Sequence, residues 1–258
     1  ELASVQMHAI QSSGNCIRNI TCDPLAGVCA DEIEDPRPYC EIIRQWATLH
    51  PEFSYLPRKF KFAVSGSPKD RAATQVHDIG LHIKKNDAGQ IGFEVLVGGG
   101  LGRTPVIGQT IADFIAEEDI LSYAEAILRT YNRFGRRDNK YKARIKILVR
   151  ETGLDKFTQQ VNSEWQAIRE GSLKLSQDEI QRVKRFFAPL AYQTIDNDNA
   201  LIQDLGNSGS FRQWFIQNTL THKQTGYQVV FVSLKSPHRA PGDINSEQMS
   251  GLAELADQ

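Results

Sequence analysis

Apolar residues along the chain recur first at helical and then at strand spacing. Small polar residues open the sequence, and Asp23-Pro24, Asp35-Pro36 and Pro38 mark turns. Cys40, Ile42, Ile43, Trp46, Ala47 and Leu49 then repeat every three to four positions, which predicts an amphipathic helix from Tyr39 to His50 that Pro51 stops. Phe60 to Val64 switches to strand-like alternation and ends at the Ser65-Gly66-Ser67-Pro68 turn. Ile79, Leu81 and Ile83 alternate with His82 and Lys84. A turn at Asn86-Asp87-Ala88-Gly89 and an apolar run from Ile91 to Val97 complete a predicted hairpin. Beyond the break at Gly98-Gly99-Gly100-Leu101-Gly102 the pattern reads as helical. The predicted helices are Ile107 to Ala116, Ile120 to Phe134 with Asp119 as cap, a basic helix from Lys140 to Glu151 ending near Gly153, and Leu154 to Glu170.

Strands followed by a run of helices predict an α+β fold, with an antiparallel sheet covered by helices over residues 1–170. Residues 171–210 are polar and turn-rich, with Asp196-Asn197-Asp198-Asn199 and Gly206-Asn207-Ser208-Gly209, and read as a linker. Residues 211–258 hold a predicted strand from Tyr227 to Leu234, a turn from Pro237 to Gly242 and a helix from Ser246 to Ala256 capped by Asn245. One strand and one helix cannot close a sheet, so this last unit is expected to be part of something larger.

Composition narrows the function classes. The 258 residues are 40% hydrophobic, enough to bury a core, and no stretch approaches a membrane-spanning length. A net charge of -1 means that any anion site must come from local clusters. No nucleic-acid or membrane partner is expected. The N-terminus lacks a signal-peptide pattern and begins at Glu1 rather than methionine, so the expected compartment is the cytoplasm and an upstream segment is compatible with the sequence. Cys16, Cys22, Cys29 and Cys40 match neither short-spaced zinc pairs nor common iron–sulfur runs and read as free thiols, with cluster ligation as the lesser alternative. His77, His82, His222 and His238 form no metal-binding motif, so no metal ligand is assigned.

Three features can carry chemistry. Arg18 lies in Asn15-Cys16-Ile17-Arg18-Asn19, read as a polar loop. In Leu56-Pro57-Arg58-Lys59-Phe60-Lys61, alternation sends Lys59 and Lys61 to one face, where two ammoniums side by side suit an anion; the alternative is a solvated basic strand edge. The Gly98 to Gly102 loop lacks the dinucleotide spacing and reads as a tight turn or a wall against a flat cofactor.

Taken together, Gly14-Asn15-Cys16-Ile17-Arg18-Asn19, Asp35-Pro36-Arg37-Pro38, Leu56 to Lys61 and Gly92 to Gly100 occur in one order that resembles the sulfite and nitrite reductase haemoprotein family, from about Ser12 to Trp165. Residues Tyr227 to Leu255 resemble the start of its second ferredoxin-like half-domain. The resemblance implies a sirohaem bridged to a 4Fe-4S cluster, with cluster cysteines downstream of Gln258 and a further basic residue upstream of Glu1. It implies that Arg18, Lys59 and Lys61 bind the substrate oxyanion and that Arg58, Asn19, Gly98, Gly99 and Gly100 lie at the cofactor. It also implies an electron donor, ferredoxin or a flavoprotein. Lys61 resembles sulfite-type members, whereas nitrite-type plastid members resemble Arg-Lys-Trp-Asn there. A nitrite reductase, or an inactive, cofactor-free anion-binding module, stands as the alternative.

Overall fold

The computed structural model describes residues 2–5, 7–193, 209–235, 238, 240 and 242–256. Two compact units divide at Tyr192 and Gln193. The first is built on a five-stranded sheet in sequential order: β1 (Ile17–Cys22), β2 (Phe60–Ser65), β3 (Ile79–Lys85), β4 (Ile91–Val97) and β5 (Gln109–Ala116). β1 and β2 are parallel, as are β2 and β3, whereas β3–β4 and β4–β5 are antiparallel. The fold is α+β as expected, but the sheet is mixed and not antiparallel throughout. Only the predicted hairpin, β3 and β4, sets its pairing through a tight local turn; the chain between β1 and β2 passes through helix α1 (Arg37–Ala47) and returns in the same direction.

Alternation along β2, β3 and β4 explains how the sheet buries one face. Phe60, Phe62, Val64, Ile79, Leu81, Ile83, Phe93, Val95 and Val97 are all at most 2% exposed. They pack against α1 and against α2 (Ile120–Phe134), α3 (Ile145–Thr152) and α4 (Leu154–Ile168), whose own apolar stripes join the same core. Tyr39 of α1 meets Phe93 edge-on at 5.0 Å, and Tyr131 of α2 meets Phe60 at 5.4 Å. Each such buried side chain contributes about 1.5–3 kcal/mol relative to exposure.

Several elements differ from the sequence reading, each for a local reason. The segment read as a polar loop around Arg18 is the edge strand β1, in which only Ile17 is buried and the other positions are part-exposed or exposed. Ile107 to Ala116, expected as helix, contains β5. Ile111 and Ile115 are its buried residues, four apart as on a helix, because irregularities in the β4–β5 register break strict alternation. Asp119 precedes α2 but caps it with no side-chain bond; its carboxylate meets Arg169 at 3.3 Å instead. The basic helix starts at Ile145, later than expected, and Gly153 at φ +83 separates it from α4. Within the expected linker, α5 (Gln177–Lys184) is capped by Ser176 and buries Ile180 and Val183 in the same core.

The second unit holds α6 (Gly209–Asn218), the antiparallel pair β6 (Thr219–Thr221) and β7 (Gln228–Val230), and α7 (Ser246–Ala256). β7 covers only the start of the expected strand. Asn245 caps α7 as expected: its side chain accepts from the Gln248 amide at 2.8 Å while Gln248 accepts from the Asn245 amide at 3.1 Å. The expected turns at Asp196 to Asn199 and at Gly206 to Gly209 (except Gly209 itself), and part of the Pro237 to Gly242 turn, lie outside the described residues.

Candidate anion-binding site

β2 begins where Leu56-Pro57-Arg58-Lys59 enters the sheet. Phe60 and Phe62 are fully buried, while Lys59 and Lys61 are part-exposed, so alternation puts the aromatic rings in the core and both ammoniums on the other side. The neighbouring β1 carries Arg18. Ile17 pairs with Phe60 and Asn19 with Lys61, leaving Arg18 as the extra residue of a bulge. A bulge re-aims its side chain, and here it sets an arginine beside the two lysines. The Arg18 Nε donates to the Gly14 carbonyl at 2.8 Å, which fixes the base of its guanidinium.

The electrostatics register this grouping. Lys59 is held below its ordinary pKa by burial first, then by Arg18, Arg144, Lys61 and Arg58. Five cations therefore gather where β1 and β2 start. The counter-charge is Asp78, fully buried just before β3; burial raises its pKa, and Arg144 works against that. Asp78 accepts from the Lys61 amide at 2.9 Å and from Arg144 Nη2 at 2.7 and 2.8 Å.

Gly98 to Gly100 follow β4. Gly98 adopts φ +78 and donates to the Asp78 carbonyl at 3.0 Å. A Cβ on Gly99 would lie 2.4 Å from the Gln75 carbonyl and 2.6 Å from that of His77, so only glycine fits. Lys146 extends along Gly100 and donates to the Leu101 and Thr104 carbonyls, tying α3 to this loop. Sequence reasoning missed Asp78, Arg144 and Lys146. The alternating Arg144 and Lys146 were visible only as part of a basic helix.

Asn19 and Arg18 also line a cavity of about 480 Å³ between β1 and α1, with Cys22, Arg37, Cys40 and Arg44. Arg37 and Arg44 are committed to Asp35 and Glu41. Another cavity, about 700 Å³ between α2 and α4, has mixed charge, and its Arg129 is bound to Glu52, Glu125 and Glu164. It lacks the surplus of cations found at β1 and β2.

The four cysteines do not assemble. Cys16 donates to the Ser13 carbonyl and Cys29 to Asp31, and burial raises both thiols. Cys22 and Cys40 interact with each other, lowering the first and raising the second. Among the described residues no group of three or more His, Cys, Asp or Glu side chains could hold a metal ion. These thiols do not fit an iron–sulfur cluster, whereas the cationic face fits a polyanionic macrocycle or a small oxyanion.

The family model of the nitrite and sulphite reductase 4Fe-4S domain matches residues 13–168, more than half of the chain. The chain belongs to that nitrite and sulfite reductase family, whose relatives are oxidoreductases. It is 32% identical over 164 residues to the sulfite reductase (ferredoxin) 1 of Mycolicibacterium paratuberculosis, covering 64% of this chain and 29% of that protein. It is 32% identical over 165 residues to the chloroplastic ferredoxin–nitrite reductase of Arabidopsis thaliana, covering 62% and 28%. The solved structure of Mycobacterium tuberculosis NirA protein superposes with a TM-score of 0.60 at 28% identity, over 64% of this chain and 30% of that one. The chain thus spans about three tenths of the length of these relatives. No helix among the described residues is long and apolar enough to cross a membrane.

Proposed function

We propose that this chain forms the substrate-binding side of a sulfite reductase that uses sirohaem and a 4Fe-4S cluster. The observation that carries the reading is the convergence of Arg18, Lys59 and Lys61 beside one another, with Lys59 depressed by burial and by its cationic neighbours. Sulfite is a dianion and gains oxide character as its S–O bonds weaken. Cations fixed before the reaction stabilise that charge without reorganising. Two lysines suit a dianion better than one, which favours sulfite over nitrite. Lys59, with its lowered pKa, gives up a proton more readily than an ordinary lysine, which suits the proton supply of a stepwise reduction.

Arg58 and Asn19 would meet the carboxylates of the macrocycle, and Gly98, Gly99 and Gly100 would offer it backbone without side chains. Bound sirohaem and its cluster would supply electrons to the sulfur. Cysteines outside this chain would hold the cluster. A ferredoxin is the favoured donor because the relatives carry ferredoxin in their names, with a flavoprotein as the other choice.

The test is sulfite and nitrite turnover by the purified full-length enzyme carrying Lys61→Ala. Sulfite reduction should fall about a hundredfold, as when a preorganised charge donor is removed, and nitrite reduction should fall less. Intact sulfite turnover would remove the assignment. A larger loss with nitrite would make the protein a nitrite reductase.

A further inference from the structure

Arg144 and Lys61 share one carboxylate. Asp78 takes the Lys61 amide on Oδ2 at 2.9 Å and the Arg144 guanidinium through Nη2 at 2.7 and 2.8 Å and Nε at 3.1 Å. A second tie lies alongside: the Tyr131 hydroxyl donates to the Ala143 carbonyl at 2.7 Å and reaches the Arg58 carbonyl at 3.5 Å. The residue before Arg144 and the residue before Lys59 therefore meet at one hydroxyl. Together these bonds hold the Arg144 side chain against the start of β2, where it adds to the repulsion on Lys59.

A role confined to neutralising Asp78 accounts for only part of this geometry. Asp78 engages Nε and Nη2, and no acceptor among the described residues takes Nη1. The Arg144 side chain keeps 22% of its exposure while its partner has none. A guanidinium gripped on one edge and open on the other is preorganised to bind a second acceptor. Arg144 is also one of the four cations, with Arg18, Arg58 and Lys61, that act on Lys59, and like charges so gathered repel unless an anion lies among them.

We propose that Arg144 is a further oxyanion-binding residue of this face, and that Asp78 is the positioning residue that sets it in register with Lys61. The proposal rests on the reading that the face receives sulfite. It adds to that site a residue from the entrance to α3.

The experiment measures sulfite affinity of the 258-residue chain, free of cofactor and at low salt, from NMR shifts of the Lys61 amide. Three proteins are compared: wild type, Lys61→Ala followed by another amide of β2, and the double variant Asp78→Asn with Arg144→Gln. The double variant removes the buried charge together with its partner, so no unpaired ion remains inside. Its fold is checked by circular dichroism and thermal melting. The expected result is a Kd raised about tenfold or more in both variants, the loss of one charge-assisted contact. A folded double variant with wild-type affinity, beside a weakened Lys61→Ala, overturns the role of Arg144 alone. Failure of the wild type to bind sulfite, or no effect of Lys61→Ala, overturns the site reading and this proposal with it. If the double variant does not fold, the side-chain nitrogen signals of Arg144 in the wild type decide: they shift on adding sulfite if the proposal holds, and stay fixed if it is wrong.

Discussion

Arg18, the bulged residue of β1, acts on Lys59 at the entrance to β2: after burial itself, its guanidinium is the strongest influence holding that ammonium below the usual lysine pKa. The bulge makes this approach possible, because regular pairing would give Arg18 a place in the ladder instead of an extra position beside it. Arg18→Gln should therefore raise the Lys59 pKa toward its ordinary value, as read by carbon NMR of the lysine ε-methylenes. An unchanged titration would place Arg18 away from the lysines.

Arg144→Ala should destabilise the first unit by about 3–5 kcal/mol, because Asp78 would remain buried without its counter-charge. The pH dependence has a definite sign. Burial raises the folded-state pKa of Asp78, so its carboxyl binds a proton more tightly folded than unfolded, and its contribution to stability falls as pH rises through that window. Without Arg144 the window extends further upward. The deficit against wild type, measured by urea denaturation, should be largest where Asp78 is ionised and shrink as pH falls and the carboxyl takes up its proton. A deficit independent of pH would mean that Asp78 is not the cause.

Gly99→Ala should cost about 1–3 kcal/mol, since the added methyl meets two backbone carbonyls and not a yielding side chain. Gly89→Ala, at a turn where nothing lies within 4 Å, meets only the strain of φ +77 and should cost less. Thermal melting of the pair checks the order. A reversed order would show that the glycine loop is not tightly packed.

Local pattern revealed what local physics controls. The stripe Ile42, Ile43 and Ala47 gave α1, and the alternation of Lys59, Phe60 and Lys61 separated core from charge. Long-range pairing left no such trace. β1 was hidden because only Ile17 of its residues is buried, and β5 resembled a helix because Ile111 and Ile115 stand four apart. The parallel pairings depend on which strands meet, and alternation does not encode that. Within the candidate site, the two lysines were singled out by spacing and Arg18 by resemblance. Asp78 and Arg144 lie 66 residues apart in sequence, and a lone acid and a lone arginine at that distance carry no signal until the fold joins them.

An oxyanion received between Arg18, Lys59 and Lys61 should register at Lys59, read from its ε-methylene titration in the wild-type chain with and without saturating sulfite. A bound dianion favours the ammonium form, so the depressed Lys59 pKa should rise when sulfite is added, with shifts centred on Lys59, Lys61 and Arg18. An unmoved Lys59, with sulfite shifting Arg133 and Lys156 of the α2–α4 cavity instead, would contradict it.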